Sequence, residues 1–324
     1  MFMSESVTSC HIAILSLRND LHALLVQQEL RQREGVICSV IETDRLAGSG
    51  GITWSDNVCL LPSHEGDLVD VRELDLIWLR RFNVPQVVPP FVTDPAQIQV
   101  IRNDCHWALL GLLVTEFRGT WISDPHATRL ADNKLVQLRA AEACGLRIPR
   151  TLVSQDPRQI RQFHASMPNG VIVKTIKGST VWPLLTAPVL EEHLAAEDSM
   201  RLAPAIYQEH VPGFRHLRVL VLEETAYAVQ IESPDLDWRR NLNVPIYEVR
   251  LDGNLTRRLA ELLHRLGLRM GVFDLKLDDA RDPVWLELNP QGQFLFAQGL
   301  LGLDLVTPFA DFVCQEVRRG VTMM

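Results

Sequence analysis

Three oxygen-bearing side chains near the C-terminus have the residue types and the spacing of a magnesium site. Asp274 lies in one apolar run, and Glu287 and Asn289 lie two residues apart in the next. If both runs are strands, alternation puts Glu287 and Asn289 on one face, and a neighbouring strand can bring Asp274 beside them. Mg²⁺ prefers such oxygen ligands and completes its shell with water and substrate phosphates. The spacing alone fits solvent-facing polar residues equally well.

A lysine follows a short apolar run in the middle of the chain. Lys174 ends the run that starts at residue 171 and precedes the small-residue loop 177–180, which contains Ser179. A lysine that leaves a buried strand beside such a loop can bind nucleotide phosphates, and the N–H groups of the loop can add further donors. The pattern is also typical of an ordinary cation at a strand end.

An extended segment follows further along the chain and contains Gln208, Glu209, His210 and Val211. Backbone N–H and C=O groups of such a segment can bind the edge of an adenine base while flanking strands supply apolar walls. Taken alone, the segment reads as a plain strand end.

Arginines form the fourth feature. Arg215 and Arg218 lie in one predicted strand, and Arg239 lies in the loop after the next, within the string Asp-Trp-Arg at 237–239. Arginines near a phosphate site offer forked donors to a carboxylate or to a developing acyl phosphate. In isolation, such a charge run is usually a solvated loop.

The elements that would position these residues fall into three α/β segments. In the first, apolar runs predict strands over 11–17, 36–41 and 74–79, and periodicity predicts helices over 21–33 and 95–117, the latter long and amphipathic. In the second, a helix over 129–144 follows a helix-start signal, and strands are predicted over 151–153 and 171–175. The third has predicted strands over 205–209, 217–222, 226–232, 272–277 and 284–288 and helices over 255–266 and 308–318. The sequence therefore predicts an α/β protein with domains 1–122, 123–200 and 201–324.

Composition argues against several classes of function and location. The 324 residues carry a net charge of −8, which argues against broad nucleic-acid binding because phosphate neutralisation needs a basic face. Six cysteines without a CxxC pair and ten histidines without an HxH or HExxH cluster make a zinc site improbable. No apolar run approaches the roughly 20 residues of a membrane span, and the N-terminus does not resemble a secretion signal. We therefore expect a cytoplasmic protein without a membrane or nucleic-acid partner.

Taken together and in chain order, these features resemble the ATP-grasp ligases. The resemblance rests on Lys134, Lys174, the Gln-Glu pair at 208–209, Arg218, the string 237–239, Asp274 and the string Glu-Leu-Asn-Pro at 287–290. Two further strings, Trp-Leu-Arg-Arg at 78–81 and Asn-Pro-Gln-Gly-Gln-Phe at 289–294, are similar to the ATP-grasp macrocyclases of microviridin-type peptides, the graspetides.

The resemblance implies a fold and a set of roles. It implies a three-lobed ATP-grasp fold, α/β with α+β lobes, whose N-terminal lobe is an open α/β sheet, whose central lobe is a lid, and whose C-terminal lobe holds magnesium. ATP would lie between the last two lobes. Lys134, Lys174 and Ser179 would bind its phosphates, 208–211 would follow the adenine, and Asp274, Glu287 and Asn289 would hold two Mg²⁺ ions. Arg215, Arg218 and Arg239 would orient the reacting groups. One departure is a loop after Lys174 that is short and poor in glycine.

The resemblance also implies a reaction and a partner. Asp or Glu side chains of a ribosomally made precursor peptide, with a leader and an acidic, Thr-rich core, would be activated as acyl phosphates. Thr, Ser or Lys side chains of the same peptide would then close ester or amide rings, and the enzyme would be a homodimer. Two alternatives remain at this point: a ligase that appends amino acids to a C-terminus, and a catalytically inactive peptide-binding protein with the same fold.

Overall fold

The computed structural model describes residues 9–82, 84–177, 186–241 and 243–323. Its helices and strands, in chain order, are β1 (Cys10–Ser16), α1 (Leu21–Leu30), β2 (Val36–Glu42), β3 (Thr53–Ser55), β4 (Val58–Pro62), β5 (Leu68–Asp70), β6 (Leu76–Leu79), α2 (Pro95–Glu116), β7 (Thr120–Ile122), α3 (Pro125–Ala131), α4 (Lys134–Ala143), β8 (Thr151–Ser154), α5 (Pro157–Ala165), β9 (Val171–Lys174), β10 (Ala187–Pro188), α6 (Glu191–Ala195), α7 (Glu197–Leu202), β11 (Ala205–Glu209), β12 (Arg215–Leu222), β13 (Thr225–Glu232), β14 (Ile246–Val249), α8 (Gly253–Arg265), β15 (Met270–Leu277), β16 (Pro283–Asn289), α9 (Phe296–Leu301) and α10 (Val306–Met323). They divide between two compact units, one formed by residues 1–125 with 304–324 and the other by 126–303.

The first unit is built on a parallel sheet of order β2-β1-β6-β7. Both faces of such a sheet are covered, so β1 and β6 are nearly continuous apolar runs. Helix α10 packs on α1 and β7, with the ring of Phe309 4.5 Å from that of Trp78. Buried Arg80, which follows β6, pairs with Asp20 at 2.9 Å. The Trp-Leu-Arg-Arg string thus contributes a core aromatic and a buried ion pair.

The second unit contains two antiparallel sheets. The smaller has the order β10-β9-β11-β8, and the larger has the order β14-β13-β12-β15-β16. Helices α4 and α8 cover one face of the larger sheet through an apolar core that includes Leu138, Leu259, Leu263 and Phe273. The other face of that sheet carries the polar side chains discussed below.

The helix predicted over 129–144 is two helices. The side chain of Asn133 caps the second of them by accepting the N–H of Leu135, because asparagine satisfies the free N–H groups of a first turn. Lys134 is therefore the first residue of α4 rather than a residue inside a longer helix.

Other elements follow the predicted pattern to within a few residues, and some were not predicted. The small sheet β3-β4-β5 and the elements α6, α7, α9 and β14 have no counterpart among the predictions. The division into three domains stays a prediction. Among the described residues, none of the helices combines the length and the apolar character that a membrane span requires.

Candidate active site

One cavity in the second unit, with a volume of about 360 Å³, gathers most of the residues singled out from the sequence. Its walls come from both sheets of that unit and from α4. Ten predicted site residues line it: Lys134, Lys174, Gln208, Glu209, His210, Val211, Arg239, Asp274, Glu287 and Asn289. Because these residues line one cavity, the structure supports the prediction that they lie together. Their individual roles stay predictions.

Strand pairing brings the three oxygen-bearing side chains together. Asp274 in β15 lies directly opposite Glu287 in β16, and Asn289 follows two residues later on the same strand. The register shifts next to this pair, so that Leu286 is an extra residue in β16. Bulges of this kind re-aim side chains beside functional sites. The Nδ2 of Asn289 donates to Asp274 at 3.2 Å and to Glu287 at 3.5 Å, so one amide nitrogen reaches both carboxylates.

A buried arginine holds Asp274 in place. Arg218 lies opposite Asp274 in the neighbouring strand β12, and its Nη1 donates to both carboxylate oxygens at 2.8 and 2.9 Å. Its Nη2 donates to the backbone carbonyl oxygen of Gln293 at 2.8 Å. These contacts fix the guanidinium between the strand and the turn after β16. Arg218 does not line the cavity and reaches it through Asp274.

The three side chains fit a hard divalent ion. A carboxylate has about four lone-pair directions, and Arg218 uses two of those on Asp274, which leaves two for other partners. Rotating the Asn289 amide by half a turn would exchange Nδ2 for Oδ1 and add a third oxygen to the cluster, and the two orientations have nearly the same shape. Two carboxylates and an amide oxygen are ligands that suit Mg²⁺. Among the described residues, no group of three or more His, Cys, Asp or Glu side chains has metal-binding geometry, so a third protein ligand beside the two carboxylates would have to be the amide of Asn289.

Two lysines face the carboxylates from the opposite walls. The Nζ of Lys134 lies 3.7 Å from Oε2 of Glu287 and donates to the carbonyl oxygen of Thr175. Burial lowers the pKa of Lys174 to about 8, with Glu287 opposing and Lys134 reinforcing the shift. Burial by itself would raise the pKa of Glu287, but the charges of Lys134, Lys174 and Arg239 outweigh it and lower that pKa. Burial and the charge of Glu287 raise the pKa of Asp274, and Arg218 opposes this. The pocket thus holds a concentrated but nearly balanced set of charges.

Arg239 lies at the exposed rim of the cavity. Its guanidinium donates to both oxygens of Asp237, with Nε and Nη2 at 2.8 Å, and these bonds lower the pKa of Asp237. The side chain of Arg239 is 58% exposed, whereas that of Asp237 is buried. Asp237 thus holds the guanidinium of Arg239 at the cavity rim. The remaining N–H groups of Arg239 are open to solvent and can bind an incoming anion.

The segment 208–211 offers fewer backbone donors than the sequence predicts. The N–H groups of Glu209 and His210 already donate to the carbonyl oxygens of Arg150 and Gly170. The N–H of Val211 makes no backbone hydrogen bond within the described residues and remains available to a ligand. Gln208 donates to Thr151 through Nε2, and its buried Oε1 has no partner in the described part of the chain. The N–H of Val211 and the Oε1 of Gln208 are therefore a donor and an acceptor that no described residue uses at this end of the cavity.

Besides Arg218, one predicted site residue does not line the cavity, and one other lies outside the described part of the chain. Arg215 lies three residues from Arg218 on the same strand and so projects from the opposite face, where it pairs with Glu232 at 3.3 Å and stacks on Phe214. Ser179 lies outside the described residues. Alternation along β12 thus puts Arg215 and Arg218 on different faces, and only the face of Arg218 borders the cavity.

Sequence reasoning also missed two cavity residues, Lys276 and His216. They lie opposite each other in β15 and β12, on the same face as Asp274 and Arg218. A polar residue at every second position of an otherwise apolar strand was the available signal. The chain has only four lysines, and all four, at positions 134, 174, 177 and 276, line this cavity. The remaining 28 of the 32 Lys and Arg residues in the chain are arginines.

Comparisons with solved structures show the fold. The macrocyclase MdnC bound with precursor peptide MdnA, from Microcystis aeruginosa, is 21% identical, with a TM-score of 0.84 over 94% of this chain and 99% of that one. An ATP-grasp ligase from Chryseobacterium gregarium, RiPP-associated and in complex with ADP and a leader and core peptide, is 20% identical, with a TM-score of 0.83 over 95% and 97%. The ATP-grasp ligase PsnB, complexed with a phosphomimetic variant of a minimal precursor, Mg and ADP, is 20% identical, with a TM-score of 0.76 over 95% and 99%.

No protein-family model and no curated protein matches the chain. The structural likeness, which covers nearly the whole length of both partners, establishes the ATP-grasp fold. The fold class expected from the sequence is therefore confirmed.

Proposed function

We propose that this protein is an ATP-dependent carboxylate ligase that closes side-chain rings in a ribosomally made precursor peptide. The observation that carries the proposal is the cluster of Asp274, Glu287 and Asn289, which faces a cavity lined by every lysine of the chain. The oxygen ligands on one wall and the ammonium groups of Lys134 and Lys174 on the walls facing them match the needs of a magnesium-bound triphosphate. The solved structures of this fold that contain ADP and precursor peptides supply the substrate class.

The first step would activate a carboxylate. A carboxylate is a poor electrophile because oxide is a poor leaving group. An Asp or Glu side chain of the peptide would attack the γ-phosphorus of ATP, forming a C–O–P linkage and releasing ADP. Lys134 and Lys174 would offset the charge that gathers on the transferred oxygens, and Asp274, Glu287 and Asn289 would hold one or two Mg²⁺ ions. Bound Mg²⁺ supplies charge neutralisation and orients the phosphates for in-line transfer.

The second step would use the acyl phosphate. A Thr or Ser hydroxyl, or a Lys amine, of the same peptide would attack the acyl carbon, expel inorganic phosphate and lose its proton to solvent or to the phosphate. The free N–H groups of Arg239 at the rim are placed to bind the acyl phosphate. Arg218 would act indirectly by keeping Asp274 in position, since both its forked contacts are already made inside the protein. We retain no catalytic role for Arg215.

We also propose that two copies associate. Helix α2 was expected to be amphipathic, yet it carries exposed Val100, Trp107 and Val114 on the side opposite its buried leucines. A Cβ at Gly111, on the same exposed side, would meet no atom within 4 Å, so nothing inside the chain requires glycine there. Glycine in a helix costs about 1 kcal/mol relative to alanine, and close approach of a second helix is a reason to keep it. Trp107→Glu should convert a dimer to a monomer in light-scattering measurements, and a wild-type monomer would refute the association.

The decisive experiment is to weigh a peptide product. The protein is incubated with ATP, Mg²⁺ and a candidate precursor encoded beside its gene, and the peptide is analysed by mass spectrometry. We expect the loss of one water per ring and one ADP released per water lost. Asn289→Ala serves as the inactive control, since it removes a predicted metal ligand and leaves the peptide-facing surface intact.

Two other outcomes would redirect the proposal. A gain in mass equal to an added amino acid would identify a ligase that extends a C-terminus. Peptide binding without peptide-dependent ADP release would identify an inactive binding protein, and the same protein would then bind nucleotide without turning it over.

A further inference from the structure

We infer that Lys276 binds the ribose of the nucleotide through its ammonium group. The inference deepens the proposed function and rests on it, because it takes the cavity to be a nucleotide site and assigns one contact inside it. Lys276 was not among the residues singled out from the sequence, and the phosphate and metal roles above do not use it.

Lys276 is a buried cation without a hydrogen-bond or salt-bridge partner among the described residues. The residue is only 5% exposed, and what remains accessible faces the cavity. No hydrogen bond or ion pair joins its amine to another residue in the described part of the chain. The carboxylate of Asp279 acts on this amine electrostatically but forms no salt bridge with it. An unpaired buried charge is costly to the fold, so a partner supplied from the cavity would account for its retention.

The position of Lys276 lies between the two ends of the expected ligand. It follows Asp274 by two residues on the same strand face, which corresponds to roughly 7 Å along the strand. In the other direction its charge acts on His210 in the segment 208–211, whose pKa burial and Lys276 both lower. A nucleotide with phosphates at Asp274 and its base at 208–211 would place its ribose beside this amine. Ribose hydroxyl oxygens are suitable acceptors for an ammonium donor.

The use of lysine across the chain supports a ligand-binding role. Four lysines stand against 28 arginines, and none of the four lies outside the cavity lining. Lysine is therefore not a general solubilising residue in this protein. A compact ammonium with three rotatable donors can hydrogen-bond a hydroxyl oxygen without the fixed planar geometry that the guanidinium fork of arginine imposes.

His216 forms the other side of this position. It lies directly opposite Lys276, is 3% exposed, and has a buried Nε2 without a hydrogen-bond partner among the described residues. Burial and the charge of Lys276 lower the pKa of His216 to about 4. A neutral ring at this cross-strand position adds no charge repulsion to the lysine, so the amine is the charged donor of this pair.

The test is calorimetric binding of ADP, 2′-deoxy-ADP and 3′-deoxy-ADP in saturating Mg²⁺. Wild type should prefer ADP over at least one deoxy form by about tenfold, the typical value of a hydrogen bond to a charged group. Lys276→Met should bind ADP about tenfold more weakly and lose that preference. Arg139→Met removes an exposed cation from α4, outside the cavity, and should change nothing. Nucleotide-free Lys276→Met should melt at or above the wild-type temperature, because it removes an unpaired buried charge.

Each alternative result has a distinct meaning. A wild-type protein with no preference for either hydroxyl, a measurement that needs no variant, overturns the inference and leaves the nucleotide site standing. A variant that keeps the wild-type preference does the same. If Lys276→Met binds AMP more weakly than the wild type but binds adenosine equally well, the lysine contacts the α-phosphate and the ribose assignment is refuted. A wild-type protein that binds no adenine nucleotide would refute the proposed function itself.

Discussion

Replacing Glu287 by glutamine should strengthen ADP binding in the absence of Mg²⁺. The same change should remove most of the gain in ADP affinity that Mg²⁺ gives the wild type. Without Mg²⁺, the carboxylate of Glu287 neutralises Lys134 at 3.7 Å and opposes the loss of charge on Lys174. It also repels any phosphate that enters. Glu287→Gln removes this repulsion and frees Lys134, and the entering phosphates replace the carboxylate in holding the charge on Lys174. ADP should therefore bind more tightly in the absence of Mg²⁺. In its presence the variant lacks a metal ligand, so the gain in affinity that Mg²⁺ gives wild type should largely disappear.

The size of the effect follows from the geometry. Two unit charges 3.7 Å apart interact by about 4 kcal/mol at an effective dielectric constant near 20. The side chains of Lys134 and Glu287 are 26% and 23% exposed, so water screens part of this, and we expect about 1 to 2 kcal/mol to remain. Magnesium-free ADP should therefore bind about tenfold more tightly. Replacing an outer-shell partner of a metal ligand already costs about 10- to 100-fold in metal affinity, so loss of a direct ligand should cost at least as much.

The assay is calorimetric titration of ADP into each protein with and without Mg²⁺. Glu248→Gln is a matched control, because Glu248 lies on the same sheet in β14, is exposed, and does not line the cavity. It should behave as wild type in both titrations. Weaker magnesium-free binding by Glu287→Gln, or a magnesium effect as large as in wild type, would refute the assigned role of this carboxylate.

Three further predictions concern the lysine, the amide and the backbone. The pKa of Lys174 is lowered to about 8, and phosphates bind the protonated amine, so ADP affinity should be constant below that pH and fall as pH rises through it. Lys174→Met should bind ADP weakly at every pH. A variant that keeps the wild-type pH profile would contradict the contact. Lys174→Ala and Asn289→Ala should each lower ATP-dependent turnover by about 100-fold, measured as ADP release from folded protein, and near-normal rates would exclude these residues from the site. Gly213→Ala should lower the melting temperature, since Gly213 has φ of +102° and an added Cβ would lie 2.5 Å from the carbonyl oxygen of Leu277; Gly299→Ala, in exposed helix α9 with open space around it, should be neutral or stabilising by up to about 1 kcal/mol.

The cluster of Asp274, Glu287 and Asn289, the proposed metal site, was the part of the cavity most accessible to sequence reasoning. Alternation places Glu287 and Asn289 on one face without any knowledge of the fold, and the buried runs around them mark both strands. The pairing of Asp274 with Arg218 was not accessible in the same way. Fifty-six positions separate these two residues, and their contact depends on β12 lying between β13 and β15.

Most of the differences between the sequence predictions and the structure concern which face of a strand a residue lies on and where a helix is interrupted. The alternation that groups Glu287 with Asn289 also groups Lys276 with Asp274 and separates Arg215 from Arg218, yet a buried lysine reads as an unfavourable core residue until its cavity is known. The break between α3 and α4 depends on a single cap by Asn133, which a periodic apolar pattern hides. Short elements such as β3 and β14 carry too few residues to establish a period.

A crystal structure with ADP and Mn²⁺, read through its anomalous difference map, tests the central claim most directly. The account predicts a metal peak bounded by oxygens of Asp274, Glu287 and Asn289, with the Asn289 amide turned to present Oδ1 and the diphosphate extending toward Lys134 and Lys174. Bound ADP with these three side chains pointing away from one another and no metal among them would contradict it.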